Sequence, residues 1–352
     1  MQTPREIFTR CLRFQNPERI PRDLWLLPWA EMQFPDKVME LKRLYPPDII
    51  DAPNVYRASP RVKGDPYEPG LYVDEWGSVF TNIQRGAIGE VRTPMVRDIA
   101  GWRDVKPPYE TLPDDYGSAR DRVSRFCAET DKFVKAPCCP RPWERFQFLR
   151  STENAMLDVL APEEGAGELL DVIHSFYMKE LEFWVTTDVD AVMFMDDWGA
   201  QTQLLISPAL WRDLFKPLYK DYCDIAHAHG KFAMMHSDGN ITSILGDLIE
   251  VGVDAVNSQL FCMDMAELAT IGKGKISFWG EIDRQHILPG SPDVGRAAVR
   301  EVAEHLYLET GGLIAQLELG LRSNPDTAAA VYDEWGRVHE ERRRLHHDDD
   351  AG

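Results

Sequence analysis

Short apolar runs alternate with longer amphipathic stretches in the second half of the chain. Ala191–Met195 and Phe232–Met235 are wholly apolar and too short for helices, whereas Leu169–Thr186 and Ile206–His229 carry apolar residues at helical spacing. Further strands are predicted at Ala255–Asn257, Ile276–Trp279 and Leu313–Leu317, with helices at Ile241–Val251, Met265–Ile271 and Val294–Glu309. Apolar strands that alternate with helices predict a parallel sheet buried on both faces.

The first 142 residues are less regular. Apolar positions at helical spacing predict an amphipathic helix from Pro4 to Phe14, after Thr3 as its cap. Residues 21–142 are rich in Pro, Gly and aromatic residues, and a strand pair is predicted at Leu71–Val73 and Val79–Asn82. We interpret this segment as an irregular extension that lines or covers a site.

Each predicted strand of the second half ends in a polar or ionisable residue. These residues are Asp197, His236, Gln259, Glu281 and Glu318. In a (β/α)8 barrel the active site lies at the carboxyl ends of the strands. The sequence therefore predicts an α/β (β/α)8 TIM barrel as one domain over residues 1–340. A doubly wound open sheet is the alternative, although no GxGxxG motif follows a first strand.

Charge and cysteine content narrow the function classes. The 39 basic and 58 acidic residues give a formal net charge of −19, which repels nucleic acid and anionic membranes. An anionic substrate needs a local basic pocket, for which Arg57, Arg61 and Arg322 are candidates. Six scattered cysteines and the absence of an apolar leader indicate a cytoplasmic protein. The acidic tail, residues 341–352, is predicted to be disordered.

His236 and the acidic pair Asp196 and Asp197 are the first candidates for chemistry. An imidazole at a strand end is able to bind a metal or carry a proton, although such a histidine is often structural. Only one aspartate of the pair faces the barrel mouth, because adjacent strand residues point to opposite faces. A carboxylate in the pocket serves as a general acid or binds a cationic nitrogen. The other aspartate then caps or braces a loop.

Carboxylates and polar side chains near other strand ends complete the candidate site. Glu318 has apolar neighbours, so burial would require a charge partner, a metal or a proton, and Arg322 is the expected partner. Glu281 raises the same question. Asp238 is either a ligand or the cap of the next helix. Substrate contacts are expected from Asp196, Trp198, Gln259, Tyr56 and Arg322.

Several motifs in order resemble the uroporphyrinogen decarboxylase and cobalamin-dependent methyltransferase superfamily. They are His236-Ser-Asp-Gly-Asn, Asp196-Asp-Trp-Gly, Ile206-Ser-Pro and Trp279-Gly-Glu-Ile-Asp283, with Arg5-Glu-Ile-Phe8 at the start and Asn324-Pro325 near the end. The resemblance covers nearly the whole chain and implies a (β/α)8 barrel. The His236 motif and the segment Asp74-Glu-Trp-Gly77 resemble uncharacterised branches of the superfamily more than either named enzyme.

The methyltransferase branch moves methyl groups between methylcobalamin on a corrinoid protein and a small acceptor, using zinc held by a His-x-Cys pair and a later cysteine. Here His236 matches the histidine, Asp238 stands at the first cysteine position and Glu318 falls near the second. The resemblance thus implies a divalent metal at His236, Asp238 and Glu318. Carboxylates suit zinc or a harder ion such as Mn²⁺ or Fe²⁺. Asp197, His236 and Glu281 are the expected catalytic residues.

Two further hypotheses remain open. A decarboxylase-like lyase would act on a tetrapyrrole or another carboxylated ring substrate without metal, with Asp197, His236 and Glu318 transferring protons. The arginine-rich segment by which uroporphyrinogen decarboxylase holds its substrate has no counterpart in Arg22–Trp29. A non-catalytic tetrapyrrole- or corrinoid-binding homologue is the third hypothesis. The resemblance also implies a homodimer.

Overall fold

The computed structural model describes residues 1–161 and 164–349. The strands in chain order are β1 (Arg22–Leu26), β2 (Ile49–Asp51), β3 (Gly70–Val73), β4 (Val79–Asn82), β5 (Glu90–Thr93), β6 (Phe133–Lys135), β7 (Ala191–Met195), β8 (Phe232–Ser237), β9 (Ala255–Ser258), β10 (Ser277–Trp279) and β11 (Leu313–Leu319). The helices are α1 (Pro4–Leu12), α2 (Pro28–Gln33), α3 (Pro35–Leu44), α4 (Tyr116–Glu129), α5 (Pro142–Arg150), α6 (Thr152–Leu160), α7 (Ala166–Trp184), α8 (Pro208–Leu214), α9 (Lys216–Ala228), α10 (Thr242–Val251), α11 (Met265–Gly272), α12 (Pro292–Leu306) and α13 (Pro325–Asp349).

Eight of the described strands form a nearly closed parallel barrel. Their order is β1-β11-β10-β9-β8-β7-β6-β2. The two end strands lie side by side, since the backbone N–H of Asp48 donates to the carbonyl of Arg22 at 2.8 Å. The predicted TIM-barrel fold is confirmed, and the carboxyl ends of the strands meet at one rim.

Alternate strand residues fill the inside and the outside of the barrel. Met193, Met234 and Ile314 belong to the interior cluster, whereas Val192 and Met235 pack in the larger cluster under the surrounding helices. All five are buried. Burial of one such side chain contributes about 1.5–3 kcal/mol. This burial on both faces explains why the strands read as continuous apolar runs.

Helix α1 closes the amino-terminal end of the barrel. The hydroxyl of Thr3 accepts a hydrogen bond from the backbone N–H of Glu6, and the carboxylate of Glu6 accepts one from the backbone N–H of Thr3, so that the helix starts with a capping box. Phe8 and Cys11 on the inner face of α1 join the barrel's interior cluster. The bottom of the barrel is therefore sealed, and access is left to the opposite rim.

The segment between β2 and α4 carries the irregular extension. It contains an antiparallel sheet of order β3-β4-β5, which includes the predicted strand pair. At the other end of the chain, α13 continues to Asp349. Residues 341–349 are thus helical where disorder was expected, because they extend a helix already anchored by packing, and residues 350–352 lie outside the described part. No helix in the described ranges is both long and apolar enough to cross a membrane.

Candidate active site

Asp197, His236 and Asp238 converge at the carboxyl ends of β7 and β8. Nε2 of His236 lies 3.5 Å from Oδ1 of Asp197 and 3.6 Å from Oδ1 of Asp238. One potential ligand atom from each residue lies within 4.8 Å of the other two. Oδ1 of Asp238 is buried and has no hydrogen-bond partner among the described residues. A buried acceptor of this kind needs a proton or a cation, so the three residues fit a small metal site.

Asn257, on the neighbouring strand β9, orients the imidazole of His236. Its amide nitrogen donates to the carbonyl of Trp279, which leaves its oxygen facing Nδ1 of His236 at 2.6 Å. The Nδ1–H of His236 therefore donates to Asn257. In the neutral imidazole, this leaves the Nε2 lone pair directed toward Asp197 and Asp238, as a metal ligand requires.

The two aspartates also control the charge of His236. Burial opposes the imidazolium, but Asp197 and Asp238 outweigh burial and raise the pKa of His236 to about 9. Burial likewise opposes the charge of Asp197, yet His236 lowers the pKa of Asp197. Without a bound cation the imidazole is therefore protonated at neutral pH. Binding of a metal at Nε2 would release that proton.

Arg284, which the sequence analysis missed, connects three carboxylates at the same rim. It donates to Asp238 and lies 3.2 Å from Glu281 and 3.6 Å from Glu318. Glu281 is 1% exposed, and burial raises its pKa to about 8 despite Arg284. In the sequence, Arg284 could have been found from its position three residues after Glu281. Arg284 thus provides a fixed positive charge beside the candidate metal site.

Glu318 lies beside this site with a different partner from the one expected. It contacts Arg284, whereas Arg322 is exposed and forms no ion pair with it. Glu318 also lies outside the group formed by Asp197, His236 and Asp238. Asp197 belongs to that group instead, and the expected metal at His236, Asp238 and Glu318 stays a prediction. Burial raises the pKa of Glu318, and the charge of Arg284 acts in the opposite direction.

Asp196 and Trp198 differ from the expected substrate contacts. Both are fully buried. Asp196 accepts hydrogen bonds from the backbone N–H groups of Trp143 and Glu144, at the start of α5, and from the hydroxyl of Tyr219. The indole N–H of Trp198 donates to the same hydroxyl at 2.8 Å. These two residues brace α5 and α9, because a buried carboxylate without donors would be costly.

Gln259 and Tyr56 occupy separate positions around the rim. Oε1 of Gln259 accepts from the backbone N–H of Gly239 at 3.0 Å, which fixes the loop after β8. Tyr56 follows β2, and its hydroxyl accepts from the indole N–H of Trp184 at 2.6 Å. Tyr56 lines a cavity distinct from the Asp197–His236–Asp238 group.

Glu144, also missed from the sequence, lies between that cavity and the candidate metal site. Its carboxylate is 3.7 Å from Arg141, which lines the cavity. Its backbone N–H donates to Asp196, the residue before Asp197. Burial raises the pKa of Glu144, Arg141 and His236 act in the opposite direction, and Asp197 adds to the increase. The sequence offers no strand-end signal for Glu144, since it lies within the first turn of a helix.

The chain matches the family model described as uroporphyrinogen decarboxylase (URO-D) over residues 83–334. No curated protein gives a significant match. Among solved structures, a methyltransferase from Methanosarcina mazei is similar, with a TM-score of 0.67 and 14% identity, over 96% of this chain and 100% of that one. An endo-beta-1,4-xylanase from Gloeophyllum trabeum shows a TM-score of 0.36 and 11% identity, over 61% of this chain and 79% of that one. At 14% identity the likeness to the methyltransferase concerns the fold.

Proposed function

Because the chain belongs to the uroporphyrinogen decarboxylase family, we propose that it is a methyltransferase-type enzyme with a divalent metal at Asp197, His236 and Asp238. The methyl group would pass between methylcobalamin, carried by a corrinoid protein, and a small acceptor. The observation that carries the proposal is the convergence of three ligand atoms, one of which, Oδ1 of Asp238, is buried and accepts no hydrogen bond from the described residues. A homodimer and a cytoplasmic location are further parts of the proposal.

The donor set fits a divalent ion. Two carboxylates and one imidazole suit zinc or a harder ion such as Mn²⁺, and they leave further coordination positions for an acceptor. A metal bound here would act as a Lewis acid that lowers the pKa of an acceptor thiol or alcohol. Arg284 balances the second oxygen of Asp238 and the neighbouring carboxylates, so that the site is not excessively negative.

The transfer balances without an added redox reagent. The carbon–cobalt bond would break and leave its electron pair on the corrinoid, while a lone pair of the acceptor would form the new bond to the methyl carbon. The acceptor proton passes to solvent or to a carboxylate of the site. Glu281 is buried beside Arg284 with its pKa raised to about 8, so it is mainly protonated at neutral pH and would donate its proton in the reverse transfer. Asn257 keeps His236 oriented throughout.

A metal-free decarboxylase-like lyase is the second candidate, favoured by the contact between Arg284 and Asp238. In that reaction the bond between the substrate carbon and its carboxyl group breaks, CO₂ leaves, and the electron pair stays on carbon. His236 would then protonate the carbanion, with Asp197 and Glu318 supporting the charged imidazole. The fixed guanidinium would supply the positive charge that a metal supplies in the first proposal.

Metal analysis of untagged protein separates the two candidates. We expect about one equivalent of metal per chain in the wild type, and its loss in His236→Ala and Asp238→Asn. His229→Ala, at an exposed position, serves as the control and should keep the metal. Demethylation of free methylcobalamin by a thiol, followed by absorbance, should depend on the same residues. A folded wild type that binds neither Zn²⁺ nor Mn²⁺ would reject the metal-dependent proposal.

A further inference from the structure

A second concave feature lies beside the candidate metal site. A cavity of about 520 Å³ is enclosed by residues that follow β2 and β6, by α5 and α7, and by the small antiparallel sheet. This volume is typical of small-molecule sites. The cavity adjoins the metal site through Glu144, whose carboxylate faces Arg141 and whose backbone N–H holds Asp196 next to Asp197.

Flat aromatic side chains form much of the cavity wall. They are Tyr72, Trp76, Phe80, Phe148 and Phe176. Rings of this kind stack favourably on other planar groups and gain about 0.5–1.5 kcal/mol per aromatic pair beyond the burial of area. The wall therefore favours a planar ring over an open aliphatic chain.

The guanidinium of Arg145 argues against a cationic ligand. It lies over the rings of Trp76 and Phe148, with distances of 5.1 and 5.3 Å to the ring centroids. It also pairs with Asp74 and lies 3.4 Å from Glu75. Two aromatic faces and two carboxylates of the cavity are thus already engaged with a positive charge, so an ammonium group would meet repulsion instead of an open cage.

Arg141 and Glu180 are two charged residues of the cavity wall whose side chains form no close ion pair with the described residues. The nearest carboxylate to Arg141 is that of Glu144, at 3.7 Å, which is too long for a hydrogen bond. A guanidinium presents five donors in a planar arrangement that matches a carboxylate. Glu180 also lines the cavity, and its Oε2 is buried and has no hydrogen-bond partner of normal geometry among the described residues, although the hydroxyl of Tyr56 lies near this carboxylate. This Oε2 would accept a hydrogen bond from a ligand hydroxyl or amino group.

We propose that this cavity binds a small aromatic carboxylate as the substrate, with its carboxylate on Arg141, its ring between the aromatic walls and a polar substituent at Glu180. The inference rests on the proposed function, because it assigns the substrate of the neighbouring metal site. The specificity of the enzyme would then reside in the residues around the cavity, while the metal site supplies the chemistry.

Calorimetric titration with three matched probes tests the assignment. 4-Hydroxybenzoate carries the ring, the anion and the hydroxyl, 4-hydroxybenzyl alcohol lacks the charge, and benzyltrimethylammonium reverses it. We expect 4-hydroxybenzoate to bind the wild type at least about tenfold more tightly than either other probe, as one charge-assisted hydrogen-bonded pair provides. Arg141→Gln should abolish that preference and Arg141→Lys should restore part of it. Arg125→Gln, on the exposed face of α4, should bind like the wild type.

Equal binding of the neutral or the cationic probe, or no binding of 4-hydroxybenzoate at millimolar concentration, would overturn the assignment. So would an unchanged Kd in folded Arg141→Gln. The titration is repeated with His236→Ala after treatment with a chelator. If the wild type holds no metal and 4-hydroxybenzoate still binds to His236→Ala, the proposed function is rejected and the aromatic site is kept. If the wild type holds metal but does not recognise 4-hydroxybenzoate, the aromatic site is rejected and the proposed function is kept.

Discussion

Arg284 donates a hydrogen bond to one oxygen of Asp238, whose other oxygen faces His236. The carboxylate is therefore shared between a permanent cation and the imidazole. This arrangement fixes the direction of the Asp238 carboxylate. It also means that the charge on Arg284 influences both the stability of the rim and its affinity for a metal.

The substitution Arg284→Gln should destabilise the protein and increase the stability that it gains from added divalent cations. Asp238, Glu281 and Glu318 would lose their counter-charge, and we expect the free energy of unfolding to fall by about 2–3 kcal/mol in urea at neutral pH. Added Mn²⁺ or Zn²⁺ should recover more stability in the variant than in the wild type. The control Arg125→Gln should change stability by less than about 0.5 kcal/mol. Equal stability of Arg284→Gln and the wild type would contradict this view of the rim.

Asn257→Ala should weaken metal binding without removing a ligand. The variant loses the acceptor that holds the Nδ1–H of His236, so Nε2 is no longer held toward Asp197 and Asp238. We expect the Kd for Zn²⁺ or Mn²⁺, measured by competition with a chelator, to rise about 10–100-fold. His236→Ala provides the reference for complete loss. Near-ultraviolet circular dichroism verifies that Asn257→Ala keeps its tertiary structure, and an unchanged Kd in that protein would rule out an orienting role.

The adjacent residues Asp196 and Asp197 should show opposite phenotypes. Asp196→Ala leaves two backbone N–H groups and the hydroxyl of Tyr219 without their acceptor, so we expect a loss of about 3 kcal/mol in the free energy of unfolding. Asp197→Ala leaves one backbone N–H, that of Asp238, without its acceptor and removes one partner of His236, so it should lose less stability than Asp196→Ala but bind metal weakly. Chemical denaturation and metal titration of both variants test the contrast. An unchanged free energy of unfolding in Asp196→Ala would show that the hydrogen bonds of Asp196 do not brace α5.

Glu180 should make stability depend on pH. Burial raises its folded-state pKa from 4.5 to about 7, so the folded protein holds the proton more tightly than the unfolded chain. The contribution of protonated Glu180 to the free energy of unfolding is therefore fully present below about pH 4.5 and is lost as the pH rises through about 7. The total loss is about 3 kcal/mol. Glu180→Gln removes this dependence.

The measurement is the difference in unfolding free energy between Glu180→Gln and the wild type across that pH range. As the pH rises, the stability of Glu180→Gln relative to the wild type should increase. Glu182→Gln is the matched control, since Glu182 lies on the same helix, is half-exposed and pairs with Lys179. A difference that stays constant with pH would mean that folding does not raise the pKa of Glu180.

The sequence predicts the barrel well because its strands carry a purely local signal. Apolar runs such as Ala191–Met195 end at polar residues, and the parallel topology then brings Asp197 and His236 to one rim. The partner of Glu318 could not be found in the same way. Arg322 is closer in sequence, but the chain after β11 turns outward, whereas Arg284 comes from the adjacent strand end.

Burial also separates residues that look alike in the sequence. Asp196 and Trp198 stand beside Asp197 and share its strand-end position, yet they serve the packing of α5 and α9. Glu144 and Arg141 carry no strand-end signal, because they come from the loop after β6 and the helix that follows it. Their place near the candidate site depends on which helices cover the rim. That packing is determined by distant parts of the chain and not by the local sequence.

The segment between β2 and α4 contributes part of the aromatic cavity but none of Asp197, His236 and Asp238. Insertions or substitutions in that segment are therefore free to alter the shape of the cavity while the strand ends stay unchanged. Selection of new substrates would begin in this surface extension, and a chimera that exchanges it between relatives would transfer substrate preference while retaining the reaction.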